Sequence, residues 1–427
     1  MNIGRQTATS STRSPKARSR LVEGCHDESM AIAFLGPVLP EDMCNRTPAC
    51  NVSGNKLQIN FLNALRKASG VSPTIVSFLP IGMFTKSRKL FVRSGPLSFN
   101  NGLRGRLIPF INVLFLKQLT IGLVSLLILM NWHWQNRRTR RLVLVYNVYL
   151  PMSLPVLLAT KLSGGKAVAF VADFPHNLSF NFQGWKGMLQ RINLWLESLS
   201  LAHFTGIIPL TQSVGEDFAP GRPMMVMEGG VDPDDVGAKS HPVEVPSAER
   251  ICLFSGTLNE INGIDLLLRA FRLIPDPNFR LWIFGKGPLE AEVRAATQQD
   301  DRIVYRDFLP NAEVLRYQRQ ATVLLNARPT NQLITRYTFP SKLIEYMLSG
   351  RPVITTALSG IPKDYFDFIY VLFDETPEGL SRLLIDVCAK PAFELYELGG
   401  RAQEFILQTK NWSIQGRRVY EFICNGI

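Results

Sequence analysis

The chain predicts an α/β protein of two domains, each a parallel sheet wrapped in helices, facing one another across a cleft. Three observations carry that expectation. Near-continuous apolar runs such as Arg141-Leu-Val-Leu-Val-Tyr-Asn147 and Lys166-Ala-Val-Ala-Phe-Val-Ala-Asp173 have the composition of parallel strands covered on both faces. A helix-length segment separates them, which makes a βαβ unit. A second series of the same kind begins at residue 250, beyond a tract at 233–249 rich in Asp, Pro and Ser with linker composition. Charge divides at the same place: residues 31–200 carry 19 Lys/Arg against 4 Asp/Glu, and residues 201–427 carry 23 against 28, within a net +12 over 427 residues. That length accommodates two Rossmann-like domains of ordinary size.

Taken in order, residues 1–29 are polar and basic without an apolar core, so a disordered tail is expected and a secretory signal is not. Met30 stands directly before the strand-like Ala31-Ile-Ala-Phe-Leu-Gly36, and translation is expected to begin there, with the preceding segment an artefact of gene calling. The first domain is expected over 30–232. Apolar spacings of three and four give a helix over 54–66, and Val76-Ser-Phe-Leu reads as the second strand.

Leu107 to Trp134 is the most apolar region, but its uninterrupted part, 119–130, is shorter than the about 20 residues that span a bilayer. Trp132, His133 and Trp134 followed by Arg137, Arg138, Arg140 and Arg141 read either as an interfacial membrane contact or as a buried helix with a solvated basic end. A helix started by Ser153 and Pro155 and closed by Gly164-Gly165 links the two apolar strands. Functional side chains collect past the carboxyl ends of such strands, which places Asn147, Asp173 and His176 there. Gly206-Ile-Ile-Pro-Leu and residues 224–227 read as strands, with a helix from Gln212 to Phe218 between them. Asp232, Asp234 and Asp235 read as solvated turn residues, and no metal site is expected.

The second domain is expected over 250–408, with residues 409–427 as a final helix. Arg250-Ile-Cys-Leu-Phe-Ser-Gly256 is a strand running into glycine, and residues 259–263 lead into a helix. Phe279 to Phe284 is a strand ending in the turn Gly285-Lys-Gly-Pro288. The organising stretch is Tyr337-Thr-Phe-Pro-Ser-Lys-Leu-Ile-Glu-Tyr-Met-Leu-Ser-Gly-Arg-Pro-Val-Ile354. Phe339-Pro340 stops a loop, Ser341 caps a helix over 342–348, Gly350 ends it, and the β-branched residues from Val353 form a buried strand. A loop feeding a helix start is a natural anion site; Lys342 adds a mobile cation and Glu345 a carboxylate able to accept from sugar hydroxyls. An ordinary surface helix remains the alternative at this point. The six cysteines, scattered without CxxC or zinc spacing, suit a reducing cytosol and not a disulfide scaffold.

This stretch resembles the donor-binding segment of glycosyltransferase family 4, retaining enzymes of GT-B fold, in the Phe-Pro-Ser-Lys-Leu-x-Glu-Tyr form met in bacterial polysaccharide synthesis. The resemblance implies a metal-independent enzyme without cofactor that moves a hexosyl group from a nucleotide-diphosphate sugar to an acceptor hydroxyl. The family has two glutamates seven residues apart: Glu345 matches the second, which holds the ribose, and the first falls on Tyr337. Gly256 and Gly285 match glycines of the donor loops, where Thr257 and Asn262 stand in place of the family's Arg and Lys. Lys342 and Arg336 are the expected replacements, with Phe339 and Ser341 lining the same site. His176 resembles the first-domain histidine that approaches the donor sugar, and Asp173 is either an N-cap or faces the acceptor. Gly54 is either the glycine that lets acceptor and donor sugar approach or a simple N-terminal turn. The final helix is implied to return across the cleft to the first domain.

The basic first domain then suits a saccharide acceptor, lipid-linked in cell-surface or exopolysaccharide synthesis, at the cytoplasmic face of a membrane with anionic lipid. Two other readings stay open: a catalytically degenerate nucleotide-sugar-binding protein and a nucleotide-sugar epimerase of the same fold. Nucleic acid is not an expected partner, since the basic half carries no reading motif.

Overall fold

The computed structural model describes residues 29–173, 184–233, 249–307 and 309–427. His176, the tail before Ser29 and residues 234–248 of the linker lie outside the described residues.

The first sheet is built from β1 (Met30–Gly36), β2 (Thr74–Ser77), β4 (Gly95–Ser98), β5 (Arg104–Leu107), β7 (Arg140–Tyr146), β8 (Lys166–Val171) and β9 (Gly206–Pro209), in the order β4-β5-β2-β1-β7-β8-β9. All neighbours are parallel except β4, an edge strand antiparallel to β5. The sequence reading did not foresee that hairpin, nor the small antiparallel pair β3 (Phe91–Val92) and β6 (Phe110–Ile111). The connecting helices are α1 (Glu41–Asn45), α2 (Val52–Ser69), α3 (Phe84–Ser87), α4 (Leu116–Gln135), α5 (Leu150–Ser163), α6 (Gly184–Leu201) and α7 (Gln212–Phe218). Right-handed crossovers leaving β1 toward β2 and rightward from β7 onward put helices on opposite faces. Accordingly α4, α5 and α6 lie side by side, while α2 packs on the C-terminal helix on the other face.

The second sheet runs β12 (Ile303–Arg306), β11 (Phe279–Phe284), β10 (Arg250–Ser255), β13 (Val323–Asn326), β14 (Val353–Thr356), β15 (Tyr370–Leu372), all parallel. Its helices are α8 (Ile264–Arg272), α9 (Glu290–Gln299), α10 (Asn311–Gln320), α11 (Leu333–Tyr337), α12 (Lys342–Leu348), α13 (Pro377–Cys388) and α14 (Ala392–Thr409). The last helix, α15 (Trp412–Glu421), leaves this domain and packs on α2 of the first, where Gly416 lets the backbones approach: a Cβ there would stand 2.4 Å from the Ala64 carbonyl oxygen. The two passages of the chain between domains run together, since Val231 and Asn411 bridge as parallel strands and Gly230 stacks under the Trp412 indole.

Several local expectations are corrected. The helix expected from Gly54 begins two residues earlier because Asn51 caps it, its Oδ1 accepting from Gly54 N at 3.0 Å, and it continues to Ser69 before Gly70 turns left-handed. The second strand sits earlier, at Thr74–Ser77, in register with β1. Residues 224–227 form no strand: Met224 makes a single bridge to Ile207. The α5 helix starts at Leu150 with a proline in its first turn, and Ser153 bonds back to Tyr149 O at 3.3 Å in place of capping. Ser341 occupies the N-cap position of α12, but with helical backbone angles and no capping bond from its hydroxyl. Cys44 and Cys50 form a disulfide across the turn after α1, against the expectation that the cysteines are reduced. Their spacing matched no metal or redox motif, so nothing marked a local bridge over six residues.

Candidate functional site

In an open parallel sheet a crevice forms where adjacent strands send their connections to opposite sides. In the second sheet that point lies between β10 and β13. The loops bordering it are pressed backbone to backbone at glycines. A Cβ on Gly263 would fall 1.8 Å from the Ala327 carbonyl oxygen, and one on Gly285 would fall 1.8 Å from that of Gly256. Gly285 also has φ 131°, a region open to glycine. Between these loops Asn262 is a structural brace: its Nδ2 donates to Thr257 O at 2.7 Å, and its backbone N–H donates to Asn259 Oδ1 at 2.9 Å. Thr257 is exposed, so this loop presents neutral polar groups where the resemblance implies cations.

Opposite it, α12 holds Lys342 and Glu345 as an ion pair, with Nζ donating to Oε1 at 2.9 Å and to Oε2 at 3.2 Å. Gln318 of α10, fully buried, donates to the same Oε1 at 2.6 Å and to Ser255 Oγ at 3.1 Å. The Tyr346 hydroxyl accepts from Ser255 N at 2.8 Å and donates to Ser255 O at 3.0 Å. Burial, the largest cause, raises the Tyr346 pKa and keeps this anchor neutral. Glu345 is therefore fixed from two sides and tied through Gln318 to the carboxyl end of β10. Arg328, just past β13, is partly buried and close enough to Tyr346 to interact with it electrostatically; burial holds its pKa below the ordinary value. No hydrogen bond or ion pair of its guanidinium is formed among the described residues.

Arg336 and Tyr337 face the other domain. Arg336 Nη2 pairs with Asp217 of α7 at 2.9 Å, the Tyr337 hydroxyl donates to Asp217 Oδ2 at 3.0 Å, and the Tyr337 ring lies 5.2 Å from Phe218. Burial first, then the Asp217 contact, raises the Tyr337 pKa. Phe339 is 5% exposed and packs on Tyr365, which makes it a core residue. Ile344 reaches toward Gly229, so α12 borders the domain junction.

On the first domain the corresponding switch point lies between β1 and β7. Asn147, at φ 59°, spends its Oδ1 on the N–H groups of Ala172 (2.7 Å) and Asp173 (2.9 Å), clamping the ends of β7 and β8. Asp173 is exposed beside it. Gly54 sits in the first turn of α2, where a Cβ would stand 3.3 Å from the Tyr146 hydroxyl, and Gly36 is closer still, with Gln58 Oε1 at 2.7 Å from its Cβ position. Among the described residues no group of three or more His, Cys, Asp or Glu is gathered as a metal site.

Sequence reasoning missed Arg328, Gln318 and Asp217. Arg328 had a usable signal, being the first charged residue after a buried strand at a carboxyl edge. Gln318 and Asp217 had none, since each acts through a contact remote in sequence.

Residues 249–387 match the family described as Glycosyl transferases group 1. Over 154 residues the chain is 27% identical to the amylovoran biosynthesis glycosyltransferase AmsK of Erwinia amylovora, covering 34% of this chain and 36% of that one. It is 30% identical over the same length and shares to WcaL of Escherichia coli (strain K12), whose name carries a provisional assignment as a colanic acid biosynthesis glycosyltransferase. The chain thus aligns with only about a third of each curated relative. Whole-chain likeness comes from solved structures. Sucrose-phosphate synthase (tll1590) from Thermosynechococcus elongatus superposes with a TM-score of 0.62 at 14% identity, over 92% of this chain and 99% of that one. Anabaena Alr3699/HepE in complex with UDP gives 0.63 at 14% identity, over 92% and 100%. At such identities the likeness concerns architecture. The chain has the GT-B fold, two Rossmann-like domains, and the second of them matches Glycosyl transferases group 1.

Proposed function

We propose that the protein is a retaining, metal-independent glycosyltransferase of family 4 that moves a hexosyl group from a nucleotide-diphosphate sugar to a saccharide acceptor, lipid-linked, in exopolysaccharide or cell-surface polysaccharide synthesis. The carrying observation is the group Arg328, Lys342 and Glu345 at the switch point of the second sheet, with Glu345 held in place by Gln318. Support also comes from the UDP-bound state of HepE and from the biosynthetic names of AmsK and WcaL.

In this reading Glu345 accepts from the ribose hydroxyls, and Lys342 and Arg328 neutralise the diphosphate as the bond from the anomeric carbon to phosphate oxygen breaks. The acceptor hydroxyl attacks from the side the phosphate leaves, through an oxocarbenium-like transition state, and its proton passes to a leaving phosphate oxygen. Asp173, Asn147 and Gly54 border the acceptor side, and the basic first domain meets an anionic membrane at its cytoplasmic face.

Thermal-shift screening with UDP, GDP and ADP, free and as sugar conjugates, tests the donor site. Lys342→Ala is expected to abolish the shift from diphosphates while sparing that from nucleosides; equal loss of both would refute the role of Lys342. A second reading, nucleotide-sugar binding without turnover, is favoured by the neutral Thr257 and Asn262 in the donor loop. Transfer of labelled sugar to a lipid-linked acceptor fraction, unaffected by chelator, would exclude it, and epimer release without transfer would favour the epimerase.

A further inference from the structure

We propose that α4, α5 and α6 together form a face that inserts into the surface of a bilayer containing anionic phospholipid, with apolar side chains and not charge alone holding the protein there. This deepens the membrane part of the reading above and rests on it only for the acceptor's location.

Each of the three helices carries an outward apolar row in addition to the one it buries. On α4 the row is Leu119, Leu123 and Leu127, four residues apart, and Leu127 is 70% exposed. The inner row of the same helix, Ile121, Ser125 and Leu129, is fully buried. On α5 the outward row is Leu154, Leu158 and Leu162, again at steps of four. On α6 it is Trp185, Met188, Ile192, Trp195 and Leu199, at alternating steps of three and four, with Trp195 62% exposed. These spacings keep each row on one side of its helix. The helices pack α4 on α5 and α5 on α6, so the rows lie beside one another. An apolar groove of about 380 Å³ runs between α4 and α5, lined by Leu119, Leu123 and Leu126 on one side and Leu154 and Leu158 on the other. A helix apolar on both sides belongs inside a protein or against lipid, and a continuous apolar face of this kind marks an interaction surface.

Charge selects the partner. From Asp42 to Asp173 the sequence contains no intervening Asp or Glu and 17 Lys/Arg. Around the face, Arg137 and Arg138 at the end of α4, Lys161 beside Leu162, and Arg191 on α6 are exposed, whereas Glu197 of α6 is fully buried. Trp134, exposed at the end of α4, lies with Arg137 over its ring at 4.9 Å, an aromatic–cation pair suited to the headgroup level. Apolar rows with a rim of one sign fit an anionic lipid surface. A second copy of the chain would set cation against cation across a self-complementary contact. No helix among the described residues is long and apolar enough to cross a membrane, and α4 is committed to the sheet through its inner row, so the face lies in the interface plane.

The test is co-sedimentation of the full chain with phosphatidylcholine vesicles, with and without about a third phosphatidylglycerol, at several salt concentrations. Wild type is expected to bind the mixed vesicles. Leu123→Asp/Leu127→Asp/Leu158→Asp, all at exposed positions, is expected to lower partitioning by at least about tenfold at every salt concentration. Arg137→Glu/Arg138→Glu should weaken binding mainly at low salt. Far-UV circular dichroism and the nucleotide-induced thermal shift, read on the second domain, check that the variants are folded. Wild-type failure to bind, or unchanged partitioning of the triple variant, would overturn the proposal. So would a dimer by light scattering that becomes monomeric on the Asp substitutions without vesicle binding. Vesicle binding without any nucleotide shift would leave this face standing and remove the transferase reading instead.

Discussion

Lys410→Met should be among the most destabilising single changes in the molecule, and the reason lies at the domain junction. Lys410 Nζ lies 3.0 Å from Glu228 Oε1, and the two side chains are 6% and 3% exposed. The other carboxylate oxygen, Oε2, has no hydrogen-bond partner and is buried. Methionine keeps the length of the side chain and removes only the ammonium, which leaves a carboxylate buried with nothing to neutralise it; breaking such a pair costs about 3–5 kcal/mol. At roughly 2–4 °C per kcal/mol for domains of this size, the melting temperature should fall by about 6–20 °C. The second carboxylate near Lys410, Asp364 at 3.5 Å, is 53% exposed, so Asp364→Asn should cost less than about 1 kcal/mol. Glu228→Leu leaves the ammonium over the rings of Tyr365 (4.8 Å) and Phe405 (5.6 Å), and should be milder than Lys410→Met. The double variant Lys410→Met/Glu228→Leu removes both charges and should recover most of the loss, because a buried pair is about neutral against apolar replacement. Urea unfolding followed by circular dichroism on the four variants measures this. If the double variant is as unstable as Lys410→Met, the loss comes from packing and the electrostatic account is wrong.

Arg328→Ala should lower transfer turnover by about 10²–10³ if its guanidinium neutralises the leaving diphosphate, while Arg336→Ala, whose partner is Asp217, should change diphosphate binding little; steady-state rates and titration of UDP compare them. Gly285→Ala forces a Cβ to within 1.8 Å of the Gly256 carbonyl oxygen at φ 131°, and a cost of about 1–3 kcal/mol with loss of nucleotide binding is expected by thermal shift. Burial raises the Glu197 carboxyl to about 7, partly opposed by a hydrogen bond from Asn193. The folded state then binds a proton that the unfolded state has released, so this contribution to stability is present at low pH and declines as pH rises from about 4.5 to about 7. Glu197→Gln should flatten that part of a stability–pH profile.

The strands were readable because burial on both faces leaves a direct mark on composition. Arg141-Leu-Val-Leu-Val-Tyr and Lys166-Ala-Val-Ala-Phe-Val appear in the structure as β7 and β8, paired in parallel. Periodicity and end signals likewise gave α7 at Gln212–Phe218 and α12 at Lys342–Leu348. Edges were less legible. The β4–β5 hairpin, Gly95–Ser98 against Arg104–Leu107, is half polar and carries no continuous apolar run, so nothing set it apart from loop. The Asn51 cap was overlooked because the helix was read from its apolar spacing, which begins after the first turn. Met224 to Met227 is apolar enough for a strand and runs along β9, with Met225 N and Met227 N donating to Ile207 O and Pro209 O, but only one bridge forms because Pro209 has no N–H to return a bond.

The site was legible where one segment carries it and opaque where two segments meet. Lys342 and Glu345 stand a helical turn apart, and their pairing follows from i,i+3 spacing. That Glu345 is gripped by Gln318, or that Arg336 and Tyr337 are both engaged by Asp217, depends on contacts 27 and about 120 residues apart. Position 337 shows the consequence most clearly. Read along the chain, a tyrosine there is the loss of a carboxylate. In the folded protein its hydroxyl hydrogen-bonds to the carboxylate of Asp217, on the other domain. A carboxylate held there by Arg336 and Tyr337 ties the two domains at α7 and α11 on the cleft side, just as Lys410 and Glu228 tie them at the junction. The two ties differ in kind: the junction pair is buried and costly to break, whereas Arg336 and Asp217 are 50% and 31% exposed and exchange readily with water. Breaking the exposed pair should therefore cost little and breaking the buried one much, so Asp217→Asn should shift the melting temperature far less than Lys410→Met.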